Sequence, residues 1–316
     1  LSLLLEFFGL TVLAVTHIDS SEMAFLFGSH LVKAGKPQLT VKLVSNEASG
    51  GELLVHREDG VLLQRRAFRG WGTMPPPVPP FGVLEEHFLV MRAVVLAKGD
   101  ATVALIGSAC SPCAEVAVSL AAQSWRPVSG QLLVVDRATG HTLPFLTPLN
   151  LRGEALDAAR ASGLIGLEAD PGLWRPARPT LAGQSVLVRP ERLGTPVPIT
   201  ARLAPPTLIR LCQGDSDRCR LEPSDFQAHV WPPAATELAG APRYRLRMPE
   251  SGGAEAAAAL IDDRLLKEFS CPGGSRTALE HPAGSITSPS TRPARNGSTV
   301  TSSAGSSSRR TAGVTT

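Results

Sequence analysis

Ala101-Thr102-Val103-Ala104-Leu105-Ile106-Gly107 runs into Ser108-Ala109-Cys110-Ser111-Pro112-Cys113 and then into Ala114-Glu115-Val116-Ala117-Val118-Ser119-Leu120-Ala121-Ala122. The first block is a short apolar run with β-branched members, the composition of a buried strand. The second carries cysteines at the C-x-x-C spacing, which closes a small redox-active ring when oxidised. The third has the alanine and leucine content of a helix, although Val116, Val118 and Leu120 also alternate as a strand would. Strand, turn and helix in that order place a thiol at a helix N-terminus, where the dipole lowers its pKa and favours the nucleophilic thiolate.

On these residues segment 101–148 resembles a thioredoxin-like module, with the loop 144–148 supplying a proline near the sulfurs. The resemblance implies a thiol-disulfide oxidoreductase in which Cys110 attacks and Cys113 resolves. Ala109 stands where that family usually carries an aromatic residue, and the incoming strand reads as one arm of a hairpin, not as part of a βαβ unit. A structural disulfide or buried thiols are the other reading of the pair.

Working outward, Lys98-Gly99-Asp100 separates this strand from the apolar run 87–96, and Glu58-Asp59-Gly60 separates 52–56 from 61–65. The Asp-Gly pair is a hairpin turn signal. With the alternation of Leu39-Thr40-Val41-Lys42-Leu43, these hairpins predict an antiparallel sheet. Between them the proline-rich stretch 71–80 lacks amide donors and predicts an exposed extended connection. A strand is expected over 131–136 and a helix over 154–162, stopped by Gly163.

The Pro, Gly and Arg content of 170–179 marks a domain boundary. Beyond it, 185–189, 197–203, 207–211, 228–231 and 244–248 read as short strands. Ile261, Leu265 and Phe269 recur every four residues in 254–269, the pattern of a helix with Ser251 as its cap. After Cys271 the large apolar residues nearly vanish, which predicts a disordered tail. The expected fold is therefore mainly β, made of antiparallel β-sandwich or barrel modules with a few helices. Its segments are an apolar stretch 1–22, a β-rich module 23–170, a second β-rich module 171–271 ending in a helix, and a tail 272–316.

The chain has 316 residues, 43% hydrophobic and 19% charged, with a formal net charge of +3. That balance suits a globular core, and no basic block beside aromatics points to nucleic acid. Residues 1–15 are apolar but shorter than a bilayer span, and read as the remnant of a signal peptide's core or as a buried element. No other segment reads as a transmembrane anchor.

The cysteines stand at 110, 113, 212, 219 and 271. Cys212 and Cys219 suit a short disulfide loop in an oxidising compartment. Asp215, Asp217, Glu222 and Asp225 lie around that loop but lack the twelve-residue calcium series, so it reads as a polar surface loop. Zinc needs four converging ligands and the chain offers one C-x-x-C, so no metal and no cofactor is expected. The signatures G-x-S-x-G, G-x-x-x-x-G-K-[ST] and H-E-x-x-H are absent. The expected function is non-enzymatic: a binding or structural protein acting on a protein partner through its β-module surfaces, secreted or on a cell or virion surface. The alternative is the oxidoreductase, with Cys110 and Cys113 as its catalytic pair.

Overall fold

The computed structural model describes residues 2–16, 20–46, 50–68, 78–107, 112–164, 174–176, 185–214, 217–231, 238–249 and 252–270. The tail, the boundary near 170, the cap at Ser251, most of the proline-rich stretch and Cys110 lie outside them. Residues Leu1–Gly274 make one compact unit.

The first sheet has five strands in the order β1 (Ser2–Phe7), β2 (Leu10–Thr16), β3 (Leu39–Asn46), β4 (Gly50–Arg57) and β5 (Leu62–Phe68). The N-terminal apolar stretch is thus the hairpin β1–β2. The Asp-Gly turn joins β4 to β5 as the sequence predicts, with Gly60 at φ 84°, a left-handed conformation that costs glycine little. Between β2 and β3 lies helix α1 (Ser20–Phe27).

The second sheet uses β6 (Phe88–Arg92), β10 (Leu132–Asp136), β11 (Thr142–Leu143) and β17 (Val230–Trp231). The third joins β12 (Leu149–Arg152), β13 (Trp174–Pro176) and β14 (Ser185–Val188). The fourth is six-stranded: in chain order it takes β7 (Val94–Lys98), β8 (Ala101–Ile106), β9 (Arg126–Ser129), β15 (Thr207–Gln213), β16 (Arg220–Pro223) and β18 (Arg243–Met248). Four further helices are α2 (Cys113–Ala122), α3 (Gly153–Ala161), α4 (Pro190–Leu193) and α5 (Ala254–Ser270).

The fold is mainly β with few helices, but the sheets are not all antiparallel. β2 pairs β3 in parallel, and β15 pairs both β8 and β18 in parallel. Among the described residues no sheet closes into a barrel. Stretch 197–203 forms no strand beyond a bridge from Leu203 to Thr142, because Pro196, Pro198, Pro205 and Pro206 remove ladder donors. Val78, Pro79 and Pro80 are buried, which corrects the expectation of exposure at that end of the proline-rich stretch.

Strand periodicity stacks these layers. One face of the six-stranded sheet, with Leu96, Val103, Leu105, Ile209 and Leu246, packs under Val116 and Leu120 of α2, Leu156 of α3, and Ile261 and Leu265 of α5. Its other face, with Val95, Ala104 and Leu208, meets Leu89, Met91, Leu133 and Val135 of the second sheet. The alternate residues Phe88, Val90 and Val134 turn away and pack with Phe7, Val12, Val41 and Leu53 of the first sheet. Consecutive side chains of β6 therefore serve two different cores, as a period of two requires.

Two polar ties hold the layers in register. His30 is fully buried among Phe7 and Phe145, at 4.6 and 5.7 Å between ring centroids. Its Nδ1 donates to the Glu6 carbonyl at 2.9 Å, and its Nε2 accepts from the Leu146 amide at 3.1 Å, so the ring is neutral. At the helical side, Asp262 Oδ1 accepts from Lys98 Nζ and from the buried Trp125 Nε1, each at 2.7 Å.

Burial lowers the His30 pKa to about 4 against the opposing pull of the Glu6 carbonyl. An unfolded histidine, at about 6.5, takes its proton first, so stability is full above that value and falls as pH drops toward 4. Urea titrations should show a loss of about 2 kcal/mol between pH 8 and pH 5. His30→Gln should be less stable at pH 8 and should flatten that slope. Asp262→Ala should cost about 2 kcal/mol by orphaning the buried indole N–H, and Asp262→Asn, which keeps an acceptor, should cost less in the same assay.

Candidate functional site

β8, β15 and β18 run the same way, so their carboxyl ends share one edge of the six-stranded sheet. β9 is antiparallel to β7, and β7 to β8, so β9 also runs with β8. β8, α2 and β9 thus form a β-α-β unit with β7 between its strands. The incoming strand is both an arm of a hairpin and the first strand of a crossover, which corrects the sequence reading. A parallel crossover of this kind needs a helix, which settles 114–122 as helical despite its alternation.

The chain leaves β8 toward β7 and β9, and leaves β15 toward β18 and β16. Neighbouring parallel strands whose connections depart in opposite directions define a switch point, and the crevice outside their carboxyl ends is where open α/β sheets take ligands. Gly107 follows β8 at this edge, and Gln213 closes β15 there.

Helix N-termini gather at the same edge. Glu115, in the first turn of α2, accepts the Ala155 amide at the start of α3. Glu154, in the first turn of α3, accepts the Gly252 amide at 3.2 Å just before α5. Each acid sits on the positive end of the next helix, which the macrodipole favours. Burial first, and then the Glu154 charge, push the Glu115 carboxyl above its ordinary range. At the start of α2 itself the cap position is Pro112, with no side-chain cap bond. Sequence reasoning missed this chain of acids because residues remote in sequence meet only when the helices pack. The first-turn positions of Glu115 and Glu154 were its only local sign.

Cys113 is the first residue of α2 and half-buried. Cys110 lies outside the described residues. In the Pro144–Pro148 segment the Leu146 amide bonds His30, and Pro148 lies against Gly130, where a Cβ would come within 2.6 Å of its backbone.

The expected Cys212–Cys219 disulfide is not formed; both are thiols. β18 runs between them: Cys212 pairs with Arg247 from one side, and Arg220, the residue after Cys219, pairs with Arg247 from the other. Two strand spacings put their backbones about 9.5 Å apart, beyond the roughly 7 Å that a disulfide spans. Cys219 Sγ instead donates to the Gly253 carbonyl at 3.3 Å, and burial pushes its thiol pKa up. No group of His, Cys, Asp and Glu that could hold a metal occurs among the described residues. No described helix is long and apolar enough to cross a membrane.

A cleft of about 390 Å³ lies at the other end of α2, lined by Gln123, Ala259, Asp262, Asp263, Leu266 and Lys267. Its charges are engaged within the protein, Asp262 with Lys98 and Asp263 with Lys267.

No protein-family model matches this chain, and no curated protein matches it. Among solved structures, the Hpr(Ser) kinase/phosphatase from Coxiella burnetii is similar at a TM-score of 0.31 and 12% identity, over 57% of this chain and 98% of that one.

Reducing agent should leave the mass and thermal midpoint of the Cys212 and Cys219 region unchanged. In timed iodoacetamide labelling at pH 8, Cys219 should react more slowly than a free cysteine standard, because its thiolate is disfavoured.

Proposed function

We propose that this chain is a non-enzymatic binding protein that holds a phosphate-bearing small molecule at the mouth of the six-stranded sheet, between the ends of β8 and β15. The observation that carries the reading is the switch point at the carboxyl ends of β8 and β15, where α2 starts. Main-chain amides at a helix start attract phosphate oxygens, and the helix dipole adds to the attraction.

The side chains there argue against phosphoryl transfer. With Gly107 set as the first glycine of G-x-x-x-x-G-K-[ST], Pro112 takes the second glycine's place, Cys113 the lysine's and Ala114 the hydroxyl's. That loop supplies neither an ammonium for the terminal phosphates nor a hydroxyl for magnesium. Binding without turnover is what such a loop supports.

A second reading, thiol-disulfide exchange by Cys110 and Cys113, is favoured by Cys113 standing first in α2 and by the β-α-β setting of β8 and β9. In that reading Cys110 attacks as the thiolate and Cys113 resolves.

The test is thermal denaturation of the full chain with ATP, ADP, GDP or pyrophosphate, with phosphate release assayed in parallel. A ligand at a hundred times its dissociation constant should stabilise by about 2.7 kcal/mol. Cys113→Glu, which sets a carboxylate on the same amides, should abolish the shift while the protein stays folded. No stabilisation by any of these compounds, or sustained phosphate release, would defeat the proposal. Rapid alkylation of Cys110 at pH 6, with loss of insulin reductase activity in Cys110→Ser, would establish the second reading instead.

A further inference from the structure

The first sheet ends at β5, which among the described residues pairs with β4 alone. Its turn and first residues are apolar yet open to solvent: Val61 is 48% exposed, Leu62 50% and Leu63 39%. Unpaired strand edges carry a row of free amides and carbonyls that template another strand, and exposed apolar groups beside them mark interaction sites.

Charge selects the occupant. β5 carries Arg65 and Arg66 and no acid. Arg65 is held in a two-oxygen pair by Glu52 of β4 at 2.9 and 3.0 Å. Arg66 stands opposite Leu53, is exposed, and has no ion pair among the described residues. A second copy of β5 added antiparallel would set Arg65 against Arg65, or Arg65 against Arg66. Like charges directly opposite are destabilising. A strand with carboxylates at alternate positions meets Arg66 favourably and leaves its apolar residues for Leu62 and Leu63.

We propose that the free edge of β5 takes an extended acidic segment of a protein partner as a sixth strand, through main-chain pairing with Arg66 as its charge contact. This is strand addition, in which the backbone supplies affinity and alternate side chains supply selectivity. The site is separate from the mouth of the six-stranded sheet and does not depend on the phosphate reading.

The probe is a fluorescein-labelled peptide of alternating valine and glutamate, matched to the 7 residues of β5, with its lysine counterpart as control. Fluorescence anisotropy with the full chain should show binding of the glutamate peptide and none of the lysine peptide. Arg66→Glu should weaken the glutamate peptide about fivefold. Leu62→Lys should weaken it too, and both variants should keep the wild-type circular dichroism and thermal midpoint, since both positions are exposed. Equal binding of the two peptides, indifference to Arg66→Glu, or no binding at millimolar peptide would overturn the proposal. So would light scattering that finds a dimer dissolved by Leu62→Lys, because the edge would then belong to a second copy.

Discussion

β8 is buried on both faces. Ala101, Val103 and Leu105 lie under the helices, and Ala104 faces the second sheet. A strand with no wet face must pair its backbone groups within the protein, since an unpaired buried amide costs about as much as a lost hydrogen bond. β7 satisfies one side by a tight hairpin. The other side is taken by β15, about a hundred residues downstream, in the parallel sense. That pairing makes a mixed sheet, brings the carboxyl ends of β8, β15 and β18 to one edge, and sets the starts of α2 and α5 beside them.

The outer layers depend on the same sheet. β6 and β10 present alternate residues to it and to the first sheet, so a one-residue slip would exchange two cores at once. His30 guards that register from one side, linking β1 to the Leu146 segment through both ring nitrogens. Asp262 does so from the other, where one carboxylate oxygen ties α5 to the β7–β8 hairpin and to Trp125. His30 and the Trp125 indole are both buried, so the bonds they make are directional where the packing around them is not.

The two surfaces proposed for partners are unlike. At the sheet mouth the described residues include Gly107 and the helix starts with Cys113, Glu115 and Glu154. At the β5 edge the backbone has no second partner strand among the described residues, and the strand carries Leu62, Leu63, Arg65 and Arg66. The first suits a small anion held by amides, the second an extended chain.

Local residues determined the local structure. The Asp59-Gly60 and Gly99-Asp100 turns gave their hairpins, Gly163 stopped α3 at φ 73°, and the four-residue repeat of Ile261 and Leu265 gave the buried face of α5. Each rests on contacts within a few residues, so sequence alone carries it. The parallel partner of β8, the separation of Cys212 from Cys219 by β18, the burial of His30 and the acid chain from Glu115 through Glu154 to Gly252 were decided only by tertiary structure. They join residues far apart in the chain, and which strand inserts between which depends on how both faces of every layer are covered. The sequence named the thiols and the turns, while the sheet order determined which of them could meet.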